Sequence, residues 1–422
     1  MDYTSATRPA PLSWSEQFFQ GAWVLSDYVD VAAALRDPRY SVQRAARWVN
    51  SSRAPANTSV EEIAAGKDKL RIFKRILSRS LLFIDGASHT RLRRIMQAGF
   101  SAAALQQQSP RVARIVNDLI QGILAKAQCT EASGCVAVSF DFIRDFARPL
   151  PVLVIADMLG IDANANADFV RAASAIADFI GTPTPTWAQS QAAQRALLQM
   201  FDFFVDVIAQ RRLDLDTDND DLIGLLMRAE RNGSLSAIEL LAQCCTLLFA
   251  GYETTRHLLG NGLLALLQHP LQWQALQAAP QRLPAALREL LRYDSPVQYT
   301  GRRLKADILL HGQQLRKGEL VILHLAAANR DPQRFSNPGQ LDIGRDEGNH
   351  LSFGAGLHVC LGATLTYMEA ELAFAALLRA MPDLTLVNDG PRWQSNAAYH
   401  GLETLPLTCQ LENTTLIETA HG

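Results

Sequence analysis

The stretch His350-Leu-Ser-Phe-Gly-Ala-Gly-Leu-His-Val-Cys360-Leu-Gly-Ala-Thr-Leu365 gathers the residue types best suited to chemistry. Gly354 and Gly356 bring one cysteine to the start of an apolar-periodic segment. There Leu361, Leu365, Met368, Leu372 and Ala375 recur at helical spacing until Pro382. The pattern predicts a helix N-terminus at Cys360, where unpaired backbone N–H groups and the positive end of the helix dipole favour thiolate. Three uses of such a sulfur compete. A buried structural cysteine is the common case, but packing alone needs neither glycine. A nucleophile needs a base, and His358 lies two residues away. A metal-ligating thiolate in a flat cofactor site would use the glycines to let the backbone approach a large planar group.

The string Phe353-Gly354-x-Gly356-x-His358-x-Cys360-x-Gly362 resembles the haem-thiolate loop of the cytochrome P-450 family, with every fixed position present. The resemblance implies heme b, with Cys360 as the axial metal ligand and Phe353, Gly354, His358 and Gly362 against the cofactor. A second string, Ala250-Gly251-x-Glu253-Thr254-Thr255, sits in a long apolar segment. Glycine, an acid and two β-branched hydroxyl residues weaken a helix there, and threonine can bond back to the i−4 carbonyl and bend it. A packing kink is the plain reading. The string also resembles the family's oxygen-binding groove, in which Ala250 and Gly251 leave room beside the iron, Thr254 donates a hydrogen bond and Glu253 relays protons. An ionisable group on an apolar helix face is costly unless it has such a use or a partner.

The elements around these strings follow from spacing. A capping box, Ser236-x-x-Glu239, and a stop at His269-Pro270 predict one central helix of roughly 50 Å. Asp85-Gly-Ala-Ser-His89-Thr-Arg-Leu-Arg93-Arg94 reads as a helix with i,i+4 polar residues. It resembles the family segment in which His89 and Arg93 would bind the haem propionates. Arg91 and Arg94 would then lie elsewhere on that helix, where the family docks acidic electron-transfer proteins. Gly301-Arg302-x-x-x-x-Asp307, in a region of short strands from Val297 to Leu325, resembles a family segment and so implies a further propionate partner in Arg302. Glu289 and Arg292 match the family's inward-facing Glu-x-x-Arg and are read as structural; Gln340 stands where an arginine is frequent, which puts a third partner in doubt. The resemblance places Phe249, Ala250, Val297 and Leu402 in the substrate pocket. It also makes Gly181–Trp187 a lid between two helices. The basic run Lys67, Lys69, Arg71, Lys74, Arg75 and Arg79 reads first as a solvated helix face.

Composition agrees with a globular enzyme. Hydrophobic residues are 48% and charged residues 19% of 422, enough apolar chain for a large core. A net charge of −2 gives no basic excess for nucleic acid. The six cysteines show no C-x-x-C and no regular framework, which disfavours a zinc site or disulfide scaffold and fits a reducing cytoplasm. No apolar run reaches membrane-spanning length, so no membrane anchor is expected. The resemblance runs from about residue 15 to 410. It implies one mainly α domain over 1–422 with a small β region and peripheral tails at 1–14 and 411–422. The haem would lie between the central helix and the Cys360 loop. The implied activity is insertion of one oxygen atom from O₂ into a largely hydrophobic small organic substrate. Peroxide-driven oxidation, oxidative coupling or ring formation, and a non-catalytic haem-binding recruiter remain as alternatives. A ferredoxin or flavodoxin with its reductase would donate electrons to a cytoplasmic monomer.

Overall fold

Two helices rather than one form the centre of the protein, Ala237–Ala250 and Glu253–Gln268. The computed structural model describes residues 10–18, 21–44, 70–129, 136–162, 166–213, 220–387 and 390–411. The capping box forms as expected, with the Glu239 carboxylate accepting from Ser236 N at 2.9 Å. The helix then breaks at Gly251-Tyr252, within the string where the sequence predicts a kink, so the single predicted helix is two. The cause of the break is local: the Thr254 hydroxyl donates to the Ala250 carbonyl at 3.4 Å, and Gly251 has no side chain to hold the turn. Leu247, Leu248, Leu258, Leu259 and Leu263 are all buried, as for a helix that is apolar nearly all round.

Other helices enclose this axis. Asn166–Gly181 and Trp187–Leu213 pack on each other and on Ala237–Ala250. On the opposite side Ala363–Ala380 packs on Ala102–Leu124, Leu283–Tyr293 and Glu253–Gln268. Pro149–Leu159 begins on proline and ends on Gly160 in the left-handed conformation (φ 65°), as the sequence pattern predicts. Arg71–Leu77 buries Phe73, Ile76 and Leu77 and turns Arg71 and Arg75 to solvent, matching the solvated-face reading; Lys67 and Lys69 lie outside the described residues.

The β region is a five-stranded sheet in the order Leu12–Ser15, Ala22–Leu25, Leu320–Leu323, Thr300–Leu304 and Tyr40–Ser41, with one parallel pair between Ala22–Leu25 and Leu320–Leu323. Leu12–Ser15 is an edge strand and Leu411 pairs with Val136, so residues near both ends of the described chain join the sheets. The strands Ile308–Leu310 and Gln313–Leu315 join through His311 and Gly312, both at positive φ, the conformation a two-residue hairpin turn requires.

A buried ion cluster fixes the approach to the cysteine loop. Arg292 holds Glu289 through two bonds of 2.7 and 2.8 Å. The doubt about a third partner is resolved by Arg345, whose Nε donates to Glu289 Oε1 at 3.2 Å. Gln340 contributes only its main-chain oxygen, which accepts from Arg292 at 3.2 Å and Arg345 at 3.3 Å. Removing one partner of a buried charge leaves the others undersatisfied. Arg345→Ala is therefore expected to cost about 1–3 kcal/mol in denaturant unfolding, whereas Gln340→Ala should stay within about 0.5 kcal/mol.

Candidate active site

Cys360 stands at the end of a tightly turned loop. Gly354 and Gly356 both occupy left-handed conformations, at φ 70° and 71°. A Cβ on Gly356 would lie 2.8 Å from the Leu35 carbonyl oxygen, so the loop crosses another backbone too closely for any side chain. A short 3₁₀ turn, Gly356–His358, returns the chain so that Cys360 N donates to Phe353 O at 2.8 Å. The helix begins at Ala363 with Gly362 as its N-cap, so Cys360 precedes the helix rather than starting it. Its sulfur faces an internal cavity of about 390 Å³. Burial of the surroundings pushes the Cys360 thiol up, opposed by the Gly362 N–H and the charge of Arg93. The expected lowering by the helix end is thus outweighed by desolvation, and a metal is what would deprotonate this sulfur outright.

Basic side chains line that cavity. His89, Arg93, Arg302 and His358 all line it, as the motifs imply. The rings of His89 and His358 lie 4.1 Å apart between centroids. Among the described residues the His89 Nε2 is buried without a hydrogen-bond partner. Burial, reinforced by His358 and Arg93, lowers His89 to about 4. Arg302 Nη1 donates to Thr300 Oγ1 at 2.8 Å and to Gly301 O at 3.0 Å, and burial brings it down to about 10. Asp85, at the N-cap of the helix Gly86–Gln97, contacts His358 Nε2 at 3.2 Å, Ser41 Oγ at 2.5 Å and Lys305 Nζ at 3.1 Å. Burial disfavours its ionised form, yet these three bonds together hold the carboxyl well below its ordinary value. Arg91 is already engaged, with Glu239 and Ser234 O each at 2.5 Å, so only Arg94 of that pair presents an exposed cation.

The groove forms the opposite wall. Phe249, Ala250, Gly251, Glu253 and Thr254 line the cavity there, together with Val297. The Glu253 carboxylate accepts from Ser174 Oγ at 2.7 Å and pairs with Arg256 Nη2 at 2.8 Å, with His257 Nε2 at 3.4 Å. Desolvation, helped by Arg256, keeps His257 well below its ordinary value and therefore neutral. Leu402 is fully buried, where a Cβ on Gly260 would meet it at 3.7 Å, and does not line this cavity, whereas Ala398 and Tyr399 do. Thr182 and Pro183 of the expected lid also reach the cavity, and Thr184 Oγ1 donates to Gln17 O at 3.3 Å. Sequence reading missed Arg44 and Glu369, both on the cavity wall, and the Arg256–His257 partners of Glu253. Only the last carried a signal, since positions i+3 and i+4 of a helix share a face with i.

These residues fit a planar, metal-bearing dicarboxylate. Among the described residues no group of three or more His, Cys, Asp or Glu could hold a metal ion, so Cys360 would be a single protein ligand and the prosthetic group must supply the remaining donors. The buried, unpartnered Nε2 of His89 and the guanidiniums of Arg93 and Arg302 suit its carboxylates. Residues 58–382 match the family model described as Cytochrome P450. Cytochrome P450 CYP107DY1 of Priestia megaterium is 34% identical over 92% of this chain and 89% of its own. The 6-deoxyerythronolide B hydroxylase of Saccharopolyspora erythraea is 31% identical over 96% and 94%. Among solved structures, P450BioI in complex with hexadec-9Z-enoic acid ligated acyl carrier protein is similar with a TM-score of 0.82. It is 30% identical, covering 94% of this chain and 95% of that one.

Glu369 gives the site a pH signature. It reaches the cavity from the helix Ala363–Ala380, its Oε2 is buried without a partner among the described residues, and burial pushes the carboxyl from 4.5 up to about 8. The folded chain then keeps a proton that the unfolded chain has released. Its contribution to stability is complete below about pH 4.5 and lost as pH rises through about 8. Melting temperatures from pH 5 to 9 should show that alkaline loss in the wild type and a flatter profile in Glu369→Gln; equal slopes would refute the assignment.

Proposed function

Because the chain belongs to the cytochrome P450 family, whose members bind haem through a cysteine thiolate, we propose a division of labour around this one cavity. The chain is a haem-thiolate monooxygenase acting on organic substrates, with electrons supplied by a separate ferredoxin-type partner and its reductase. When bound, the haem supplies dioxygen activation and substrate oxidation, favoured by axial thiolate ligation.

In this reading Cys360 would supply the protein's ligand to the haem iron. Its loop is held by the Phe353 carbonyl, and Gly362 directs an N–H at the sulfur. His89, Arg93, Arg302 and His358 bind the two propionates, and Asp85 orients His358 by accepting from its Nε2. Thr254 lines the cavity, and its hydroxyl, which donates to the Ala250 carbonyl at 3.4 Å, would give up that bond to donate its proton toward the bound cofactor. Glu253 replenishes that proton. Arg256 and Ser174 keep its carboxylate in place beside the groove. Phe249, Val297 and Tyr399 give the substrate space a mainly apolar wall that excludes bulk water. The chain works as a single-domain monomer of the cytoplasm. Among the described residues no helix is long and apolar enough to cross a membrane.

The observation that carries this reading is one cavity shared by Cys360, the unpartnered Nε2 of His89 and Thr254. Reduced protein treated with carbon monoxide is expected to show the red-shifted Soret band of thiolate ligation, lost in Cys360→His; its absence from wild type would remove Cys360 from the iron. Thr254→Ala should lower product formation by about 10²-fold while electron consumption continues and peroxide release rises. Unchanged coupling would show that Thr254 carries no proton.

A further inference from the structure

Behind the groove, Arg256 and His257 are both fully buried on the helix Glu253–Gln268, and neither lines the cavity. Arg256 Nη2 lies 2.8 Å from Glu253 Oε2 and 2.6 Å from His257 Nε2. That nitrogen carries two hydrogens, so one arm of the guanidinium serves both neighbours. A guanidinium has no lone pair and keeps its protons, which fixes the state of the imidazole facing it. His257 Nε2 must accept, and the ring proton sits on Nδ1, which is buried without a partner among the described residues. The ring is held in place, because a Cβ on Gly401 would overlap it. The side-chain amide of Gln394 lies 3.0 Å from the same Nε2, and an amide meets a bare nitrogen with its NH₂ end.

The relay asks two opposed things of Glu253. Its carboxylate must be held beside the groove, yet it must also take up a proton and pass one on in every cycle. A single buried guanidinium serves the first need and resists the second, since protonating its partner would leave a buried cation undersatisfied. Arg256 has little else to turn to. Its Nε is unpartnered among the described residues, and its guanidinium carbon stands 5.7 Å from the centre of the Tyr252 ring. His257 is the outlet. Desolvation keeps it neutral, and its lone pair already faces Nη2, so it goes on holding Arg256 when the carboxylate lets go. On the other oxygen, Ser174 Oγ donates to Oε1 at 2.7 Å, and a hydroxyl can reverse to accept from a protonated acid.

We propose that His257 is the positioning residue of the relay: it shares Arg256 with Glu253 and keeps that guanidinium satisfied each time the carboxylate is protonated. The step balances as proton transfer alone. A proton from solvent adds to Glu253, whose bond from Arg256 Nη2 is given up. Glu253 then passes a proton to Thr254 as the Thr254 hydroxyl gives up its own, and the restored carboxylate takes Arg256 back. The inference rests on the reading of Glu253 as the source of Thr254's proton.

Two measurements on the holoenzyme test it. Ring-nitrogen NMR shifts of isotope-labelled histidine, in the reduced protein with carbon monoxide, should include a neutral imidazole protonated on Nδ1 that is missing from His257→Gln. A His257 protonated on Nε2 would overturn the proposal, whether or not other variants fold. The second measurement follows oxygen-dependent NADPH consumption through a surrogate ferredoxin and its reductase, with no organic substrate added. His257→Leu, which fills the space but accepts nothing, should slow consumption on the order of tenfold and enlarge the solvent isotope effect in heavy water. His257→Gln, whose amide oxygen can accept from Arg256, should keep most of the wild-type rate, with haem content and the carbon monoxide spectrum unchanged in both variants. A wild-type rate in His257→Leu, or equal slowing in the two variants, would also overturn it. Failure of the relay reading itself would show separately, as a Glu253→Gln variant with the wild-type rate and isotope effect.

Discussion

A closely packed protein has here to keep an interior space open, and such a space costs stability until something fills it. The cost is sharpened by what lines it. Arg44, Arg93 and Arg302 bring guanidiniums to the cavity, and His89 brings a buried nitrogen with no partner among the described residues. Desolvation works against charge at each of these positions, lowering all three arginines and His89 from their ordinary values. A dicarboxylate prosthetic group relieves that burden while filling the void. The framework must meanwhile hold the open space without it. The Glu289–Arg292–Arg345 cluster does part of this, because it satisfies its own charges internally and pins the carbonyls of Asn329, Pro338 and Gln340 ahead of the cysteine loop.

The groove shows how a local defect becomes a functional surface. An unbroken helix would give every backbone group a partner and present only side chains to the cavity. At the interruption Gly251-Tyr252, a glycine, an acid and a hydroxyl residue, Gly251, Glu253 and Thr254, all come to line the cavity. The acid is tolerable there because its charge is met within one turn by Arg256 and across the helix pair by Ser174. Arg256 is the largest fully buried side chain among the described residues, and it also lies 5.7 Å from the centre of the Tyr252 ring. The polar groups behind the groove thus let one carboxylate remain beside an otherwise apolar space.

What could be read in the sequence divides along the same physical line. Residues that work through short-range geometry were legible: Gly354, Gly356 and Cys360 in one loop, Gly251 through Thr255 in one turn, and His89 with Arg93 on one helix face. Even so, the spacing predicts a helix start at Cys360 where the helix begins at Ala363, since periodicity does not register the turn at Leu361-Gly362 that precedes it. Residues that matter through long-range placement were hidden. Leu402 is placed in the pocket by its position in the chain alone, yet it opens a short strand and is fully buried, while Ala398 and Tyr399 just before it line the cavity. Arg44 and Glu369 have no local pattern, because each becomes part of the site only when the sheet and the helices close around it. Arg345, five residues beyond Gln340, replaced the expected third partner through the path of a loop that spacing alone does not determine.

The same long-range closure ties the cofactor to the fold. Gly356 crosses the Leu35 carbonyl, and Asp85 joins His358 to Ser41 and Lys305, so the cysteine loop is braced by the first helix, the edge of the sheet and the helix carrying His89. The cysteine loop lies more than two hundred residues along the chain from the first helix, Ser41 and the helix carrying His89, as the 273-residue span from Asp85 to His358 shows. Nothing brings His89, Arg302 and Cys360 together in an unfolded chain, so a group that needs all three binds the folded state almost exclusively and stabilises it by mass action. Loading and folding are consequently one linked equilibrium. A substitution in the braces around Asp85 then acts on cofactor retention without touching the metal ligand, and one in the distal wall alters what is bound while leaving the braces intact.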